Sequence, residues 1–140
     1  QSFQAFFDPR RSPRTGPGVA YLEAARLVAR VCALWTHQGL DCEISGGKDY
    51  VRQPHGVQIL GLFRLLGVDE DTAGHVIQLN TGEGKSVVLG IGAAVLAKLG
   101  FQVNVVCYST YLSGRDHSAF RELFKALKVD RRVGYSDFLG

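Results

Sequence analysis

Six consecutive residues, Thr81-Gly82-Glu83-Gly84-Lys85-Ser86, have the types and the spacing that hold a chain of phosphates. Glycines at 82 and 84 let backbone N–H groups curl around an anion in conformations that a side chain would obstruct. A helix opening at Ser86 would aim its unsatisfied N–H groups and the positive end of its dipole at the same point. Lys85 supplies the charge that bridges β- and γ-phosphates, and the Ser86 hydroxyl suits a Mg²⁺ ligand. The segment therefore reads as a nucleoside triphosphate site.

Such a loop needs a strand before it and a helix after it, and the chain supplies that rhythm. The apolar, β-branched run His75–Asn80 predicts a strand, Ser86–Leu99 a helix with Gly100 at its C-terminal cap, and Phe101–Tyr108 a second strand. Strand, helix, strand is a βαβ unit, which implies parallel strands and an α/β sheet flanked by helices. A further helix is expected over Tyr111–Leu127, and Arg132–Val133 opens a third strand. Upstream, Val57, Ile59, Leu60, Leu62, Phe63, Leu65 and Leu66 predict a short buried helix ending near Gly67, followed by an exposed acidic loop at Asp69-Glu70-Asp71. Leu22, Ala25, Val28, Val31, Cys32 and Trp35 recur at helical spacing with Glu23, Arg26 and Arg30 on another face, so Val19–His37 reads as an amphipathic helix stopped by Gly39. Pro9, Pro13 and Pro17 deny regular structure to the first residues. The expected organisation is an arm or linker over 1–18, a helical segment over 19–50 and the front part of a nucleotide-binding domain over 51–140.

Bulk properties exclude several classes of function. The formal charge of +3, from 16 Lys and Arg against 13 Asp and Glu, is too small to argue for nucleic acid, and much of it sits in Arg10, Arg11 and Arg14. Cys32, Cys42 and Cys107 are scattered, with no C-x-x-C pair, and read as reduced thiols, two of them buried, in a cytosol-like compartment. His37, His55, His75 and His117 are equally dispersed, so no metal site of their own is expected. The uncharged stretch Leu99–Gly114 is interrupted by polar residues and falls short of the ~20 apolar residues that span a bilayer. No secretory signal opens the chain, and a start at Gln1 reads as a segment of something longer.

The general phosphate-loop pattern G-x-x-x-x-G-K-[ST] calls for Gly at position 79, where this chain has Leu79. The shorter T-G-x-G-K-[ST] form belongs to helicase-like motors. With its surroundings the loop resembles SecA, the ATPase that drives preproteins through the bacterial translocon, and the SecA-like helicase-fold domains of other large proteins. That family carries T-G-E-G-K-[ST] with a bulky residue two places before the Thr, then an apolar strand leading to a Y-L-x-x-R-D helix start. Here Val105-Val106-Cys107-Tyr108 leads to Tyr111-Leu112-Ser113-Gly114-Arg115-Asp116, and Leu123-Phe124-Lys125-Ala126-Leu127 continues the likeness. Val57-Gln58-Ile59-Leu60-Gly61 is similar to the family's V-Q-x-L-G segment, although Gln53-Pro54-His55-Gly56 stands where the family carries Arg and an aromatic.

The resemblance, which covers about Gln53 to Val133, implies a RecA-like P-loop domain, ATP and Mg²⁺ as cofactors, and Gln58 as the residue that recognises adenine. A side-chain amide can face the N6 and N7 of that base together. By itself, a Gln at a helix start is ordinarily a solvated or capping residue. The site set is then Gln58 with Thr81, Gly82, Glu83, Gly84, Lys85 and Ser86, with Lys85 as the catalytic cation and Ser86 as the metal ligand. The implied partners are a polypeptide substrate and, through a longer protein, a membrane translocation channel, with the work done in the cytoplasm or at the membrane surface.

Hydrolysis also requires a carboxylate pair ending a later apolar strand. Asp116 and Glu122 belong to the helix after the second strand, and Asp137 has no apolar run before it. The segment is thus expected to hold ATP or ADP weakly without turning it over alone. Two other readings are a superfamily 2 nucleic-acid helicase or remodeller and a non-catalytic nucleotide-binding module. The first shares the scaffold, since fold does not fix substrate. Against it stands the lack of a basic stripe interleaved with aromatics.

Overall fold

In a computed structural model the described residues are 17–40, 53–68 and 76–138. The readings made for residues 1–16 of the proline-rich arm, for Cys42, for the acidic loop at Asp69–Asp71 and for His75 lie outside them, whereas Pro17 and Gly18, expected in the arm, belong to the first helix. Four helices and two strands are described: α1 Pro17–Leu40, α2 Gly56–Leu66, α3 Lys85–Lys98, β1 Val103–Cys107, α4 Thr110–Ala126 and β2 Val133–Asp137.

The sequence of α3 explains its place. Lys85-Ser86-Val87-Val88-Leu89-Gly90-Ile91-Gly92-Ala93-Ala94-Val95-Leu96-Ala97-Lys98 is apolar on nearly every side, and Val88, Gly90–Val95 and Ala97 are all buried. A helix apolar all round belongs in the middle of a domain, and α3 packs against every other element. Its close neighbour is α4: a Cβ added at Gly90 would lie 2.6 Å from three ring atoms of Phe120, so glycine is what allows that ring to rest on the α3 backbone. Trp35 of α1 stacks on Phe120 with ring centroids 6.0 Å apart. Val28 and Val31 of α1 and Leu62 and Leu66 of α2 complete the core, each 1% exposed or less. Leu22, placed on the apolar face by spacing, is half exposed.

Helix ends follow the sequence signals with small shifts. Gly67 takes the left-handed conformation (φ 64°) after α2 and returns its N–H to the Arg64 carbonyl. Gly100 (φ 102°) does the same after α3, with its N–H on the Ala97 carbonyl. Proline opens α1, where its missing N–H costs nothing, and Gly39 lies inside the last turn of that helix instead of ending it.

The strand predicted at His75–Asn80 is not formed over its described residues. Val76–Asn80 is irregular, and among the described residues the sheet consists of β1 and β2. A strand exists only through a partner, and no described residue pairs with this segment. Leu79 is used differently, as a side chain on the core beside Gly61. The βαβ unit that does form is one step later: β1, α4, β2, with β1 parallel to β2 and Val103 opposite Val133 through Cys107 opposite Asp137. Val105, Cys107 and Val133 point into the core while Asn104 and Val106 face outward, and Asn104 Nδ2 donates to Ser136 Oγ at 2.9 Å across the pair.

Candidate phosphate-loop site

The six-residue loop leads directly into the central helix. Gly84 is the N-terminal cap of α3 in the left-handed conformation (φ 74°), and Gly82 lies at φ 92°. Both angles disfavour any residue with a Cβ. At Gly82 the space around an added Cβ is open, whereas at Gly84 it would meet Gln58 Nε2 at 2.3 Å. No side chain caps α3 and no acidic residue occupies its first turn. The positive end of the helix is therefore available to an anion, as the sequence requires.

Three side chains hold the loop. Gln58 of α2, 4% exposed, donates from Nε2 to the Glu83 carbonyl at 2.8 Å and accepts from the His55 N–H through Oε1 at 2.9 Å. Gln58 is also the third residue of α2, and with His55 it forms a capping box. Both ends of its amide are thus engaged within the chain. An adenine contact at Gln58 would have to use the second N–H and the second lone pair of the amide, or displace Glu83 or His55. Lys85 Nζ donates to the Asn80 carbonyl at 2.9 Å, folding the ammonium back across its own loop.

The third support comes from a residue that sequence reasoning set aside. Ser86 Oγ donates to Asp116 Oδ2 at 2.7 Å. Asp116 Oδ1 accepts from Arg115 Nε at 2.9 Å and Nη2 at 2.7 Å. Arg115 Nη2 also reaches Ser86 Oγ at 3.4 Å. Asp116 is 7% exposed, while Arg115 leaves half its side chain in solvent. The hydrogen bond to Asp116, then its charge, holds the guanidinium more firmly protonated than usual. A sequence pointer existed: Asp116 follows Arg115 in the Y-L-x-x-R-D segment, and Gly90 marks where α4 comes close to α3. Neither reveals that residue 116 faces residue 86.

Behind the carboxylate, burial and then the charge of Asp116 push the Cys107 thiol and the Tyr135 hydroxyl up. The Tyr135 oxygen is buried without a hydrogen-bond partner. Asp137 ends β2, the parallel strand expected to open at Arg132–Val133, and no apolar run precedes it. Its carboxylate accepts from the Thr110 hydroxyl and fastens the start of α4 to the sheet. Among the described residues no group of three His, Cys, Asp or Glu side chains could hold a metal ion by itself. No described helix is long and apolar enough to cross a membrane. The predicted site residues 81–86 and 58 are therefore brought together, and Asp116 and Arg115 join them.

The SecA DEAD-like domain family matches residues 27–138, which takes in α1 from Leu27 onward, the loop and both strands. A protein translocase subunit SecA 2 of Mycobacterium ulcerans is 40% identical over 83 residues, 59% of this chain and 9% of its own length. The protein translocase subunit SecA of Mycobacterium avium is 40% identical over 75 residues, 54% of this chain and 9% of its own. The SecA 2 of Mycobacterium tuberculosis H37Rv is 40% identical over 75 residues, 54% of this chain and 8% of its own. This chain thus spans less than a tenth of the relatives it matches. No solved structure matches it. With the family match extending over most of its length, the chain belongs to the SecA DEAD-like domain family.

Proposed function

We propose that Thr81–Ser86 binds the phosphates of ATP or ADP with Mg²⁺, as the nucleotide-holding part of a RecA-like motor domain that couples ATP hydrolysis to polypeptide movement. The observation that carries this reading is the entry into α3. Gly82 and Gly84 sit at positive φ immediately before a helix whose first turn has no cap and no acid, and Lys85 and Ser86 follow at once. The residues present fit the group. Backbone N–H groups of the loop and of the first turn would hold the phosphates. Lys85 would exchange the Asn80 carbonyl for a phosphate oxygen, and Ser86 would supply the oxygen ligand to Mg²⁺. Thr81 and Glu83 shape the loop through their backbone. When bound, the nucleotide supplies the free energy of hydrolysis that such motors use. An adenine contact at Gln58 has its amide trade the Glu83 carbonyl for the base, which ties recognition of the base to the loop.

Relatives named as protein translocase subunits support a polypeptide as the substrate of the longer protein, and a membrane channel as its partner. They equally support work in the cytoplasm or at the membrane surface. Turnover requires carboxylates beyond those that the described loop gathers, so this chain alone binds without cycling. Titration of a fluorescent ADP in Mg²⁺ into this chain and into its Lys85→Ala variant tests the reading. Saturable binding weakened at least about tenfold in the variant, the scale of a charge-assisted contact to phosphate, supports it. Equal binding by both proteins, or none by the parent, refutes it.

A further inference from the structure

Ser86 and Asp116 are thirty positions apart in sequence and 2.7 Å apart in space. A serine hydroxyl has one hydrogen and two lone pairs. Its hydrogen is committed to Asp116 Oδ2 and one lone pair faces Arg115 Nη2 at 3.4 Å, which leaves the other lone pair of Ser86 Oγ turned away from the carboxylate. The other carboxylate oxygen is committed as well, to two nitrogens of Arg115. Both nitrogens meet the same oxygen, so Arg115 anchors Oδ1 and leaves Oδ2 to Ser86. Packing of α4 on α3 does not depend on this polar pair. The apposition is made one turn further along, where the Phe120 ring lies against Gly90. A carboxylate that is 7% exposed and engaged at both oxygens is satisfied electrically. Its effect is to set the polarity of one hydroxyl at the mouth of the loop.

We propose that Asp116 is a positioning residue for the divalent cation that accompanies a bound nucleotide: by holding the Ser86 hydrogen, it presents the remaining lone pair of Oγ to the metal. The inference rests on the nucleotide reading of the loop. It follows the general behaviour of metal sites, in which partners of the ligands orient them and raise their basicity. Arg115 is the outer member of the same relay, since it decides which way the carboxylate faces.

The Asp116→Asn variant is nearly isosteric and turns the bond around. Arg115 can be met only by the amide oxygen, which leaves the amide NH₂ facing Ser86 Oγ and donating into the lone pair that the metal needs. The test titrates fluorescent ADP into the parent chain, D116N, D116A, S86A and the double variant S86A/D116N, once with Mg²⁺ and once in EDTA. Circular dichroism and the urea midpoint of each protein are recorded alongside. The expected result is a loss of about tenfold for D116N in Mg²⁺, the lower end for partners of metal ligands, and less than about twofold in EDTA. D116A, which leaves the hydroxyl free to rotate, should lose less than D116N. The double variant should bind no worse than S86A. Equal losses with and without Mg²⁺, a greater loss for Ala than for Asn, or additive losses in the double variant would overturn the proposal in favour of a structural prop. Failure of the underlying reading shows differently, as no saturable binding by the parent chain, and overturns both. Should D116A fail to fold, the ratio of D116N affinities in Mg²⁺ and EDTA still decides.

Discussion

Replacing Gly84 by alanine should destabilise the chain more than the same change at Gly82, and the difference should vanish when Gln58 is removed. Both glycines sit at positive φ, where an L residue costs about 1–2 kcal/mol. About 0.5 kcal/mol of that is returned by the stiffer unfolded chain. At Gly82 nothing lies within 4 Å of the new Cβ, so the cost ends there, near 1 kcal/mol. At Gly84 the Cβ would lie 2.3 Å from Gln58 Nε2, and the amide must leave the Glu83 carbonyl. Losing that half-buried hydrogen bond adds about 1 kcal/mol, with more if the carbonyl stays dry. G84A should therefore cost roughly 2–3 kcal/mol. Urea unfolding followed by circular dichroism reads these values as shifts in midpoint at constant m. In a Gln58→Ala background the amide is gone, and G84A should cost no more than G82A, about 1 kcal/mol. Equal costs for the two glycines in the parent chain would refute the argument. So would an excess at Gly84 that survives removal of Gln58.

Gly90→Ala sets a gain in helix propensity of about 0.5–1 kcal/mol against overpacking on the Phe120 ring, which typically costs 1–3 kcal/mol. A net loss of about 1 kcal/mol in urea unfolding is expected, because the ring is stacked on Trp35 and cannot step aside. Burial raises the Cys32 thiol from 9.0 to about 11. The folded state then holds its proton more tightly than the unfolded state, and the stability this thiol protects is intact below pH 9 and lost as pH rises toward 11. Unfolding midpoints between those limits should fall less steeply in Cys32→Ala than in the parent chain.

The helices were legible because each carries its own period and its own stop. Gly67 and Gly100 fall one or two residues past the last turns of α2 and α3, and the second half of α4 carries Phe120, Leu123 and Phe124 at helical spacing. The strands were legible only in part. Val103–Cys107 is rich in valine and announces itself, whereas Val133-Gly134-Tyr135-Ser136-Asp137 becomes a strand through pairing with β1 and not through its own composition. Val76–Asn80 has the better β propensity of the two and is not a strand, since propensity cannot supply a partner. The loop itself was readable to the residue, because positive φ at Gly82 and Gly84 is a local demand that only glycine meets without strain. Asp116 was not, because its role comes from where α4 crosses α3, and no local pattern records a crossing.

Gln58 shows how one residue can satisfy two readings with opposite structural demands. As a capping residue it must keep Oε1 on the His55 N–H, and as a brace it must keep Nε2 on the Glu83 carbonyl. As an adenine ligand it must turn its remaining N–H and lone pair to the base or exchange one of these partners for it. The ammonium of Lys85 is in the same position, held by the Asn80 carbonyl until a stronger acceptor arrives. Exchanging a carbonyl for a phosphate oxygen is favourable, since an anion outbids a dipole for a cation. Exchanging a carbonyl for an adenine edge is close to neutral, since one neutral acceptor replaces another. The phosphates should therefore supply most of the affinity of this loop. The base should add specificity at little gain in binding, so ADP and GDP should differ far less in affinity for this chain than ADP and adenosine.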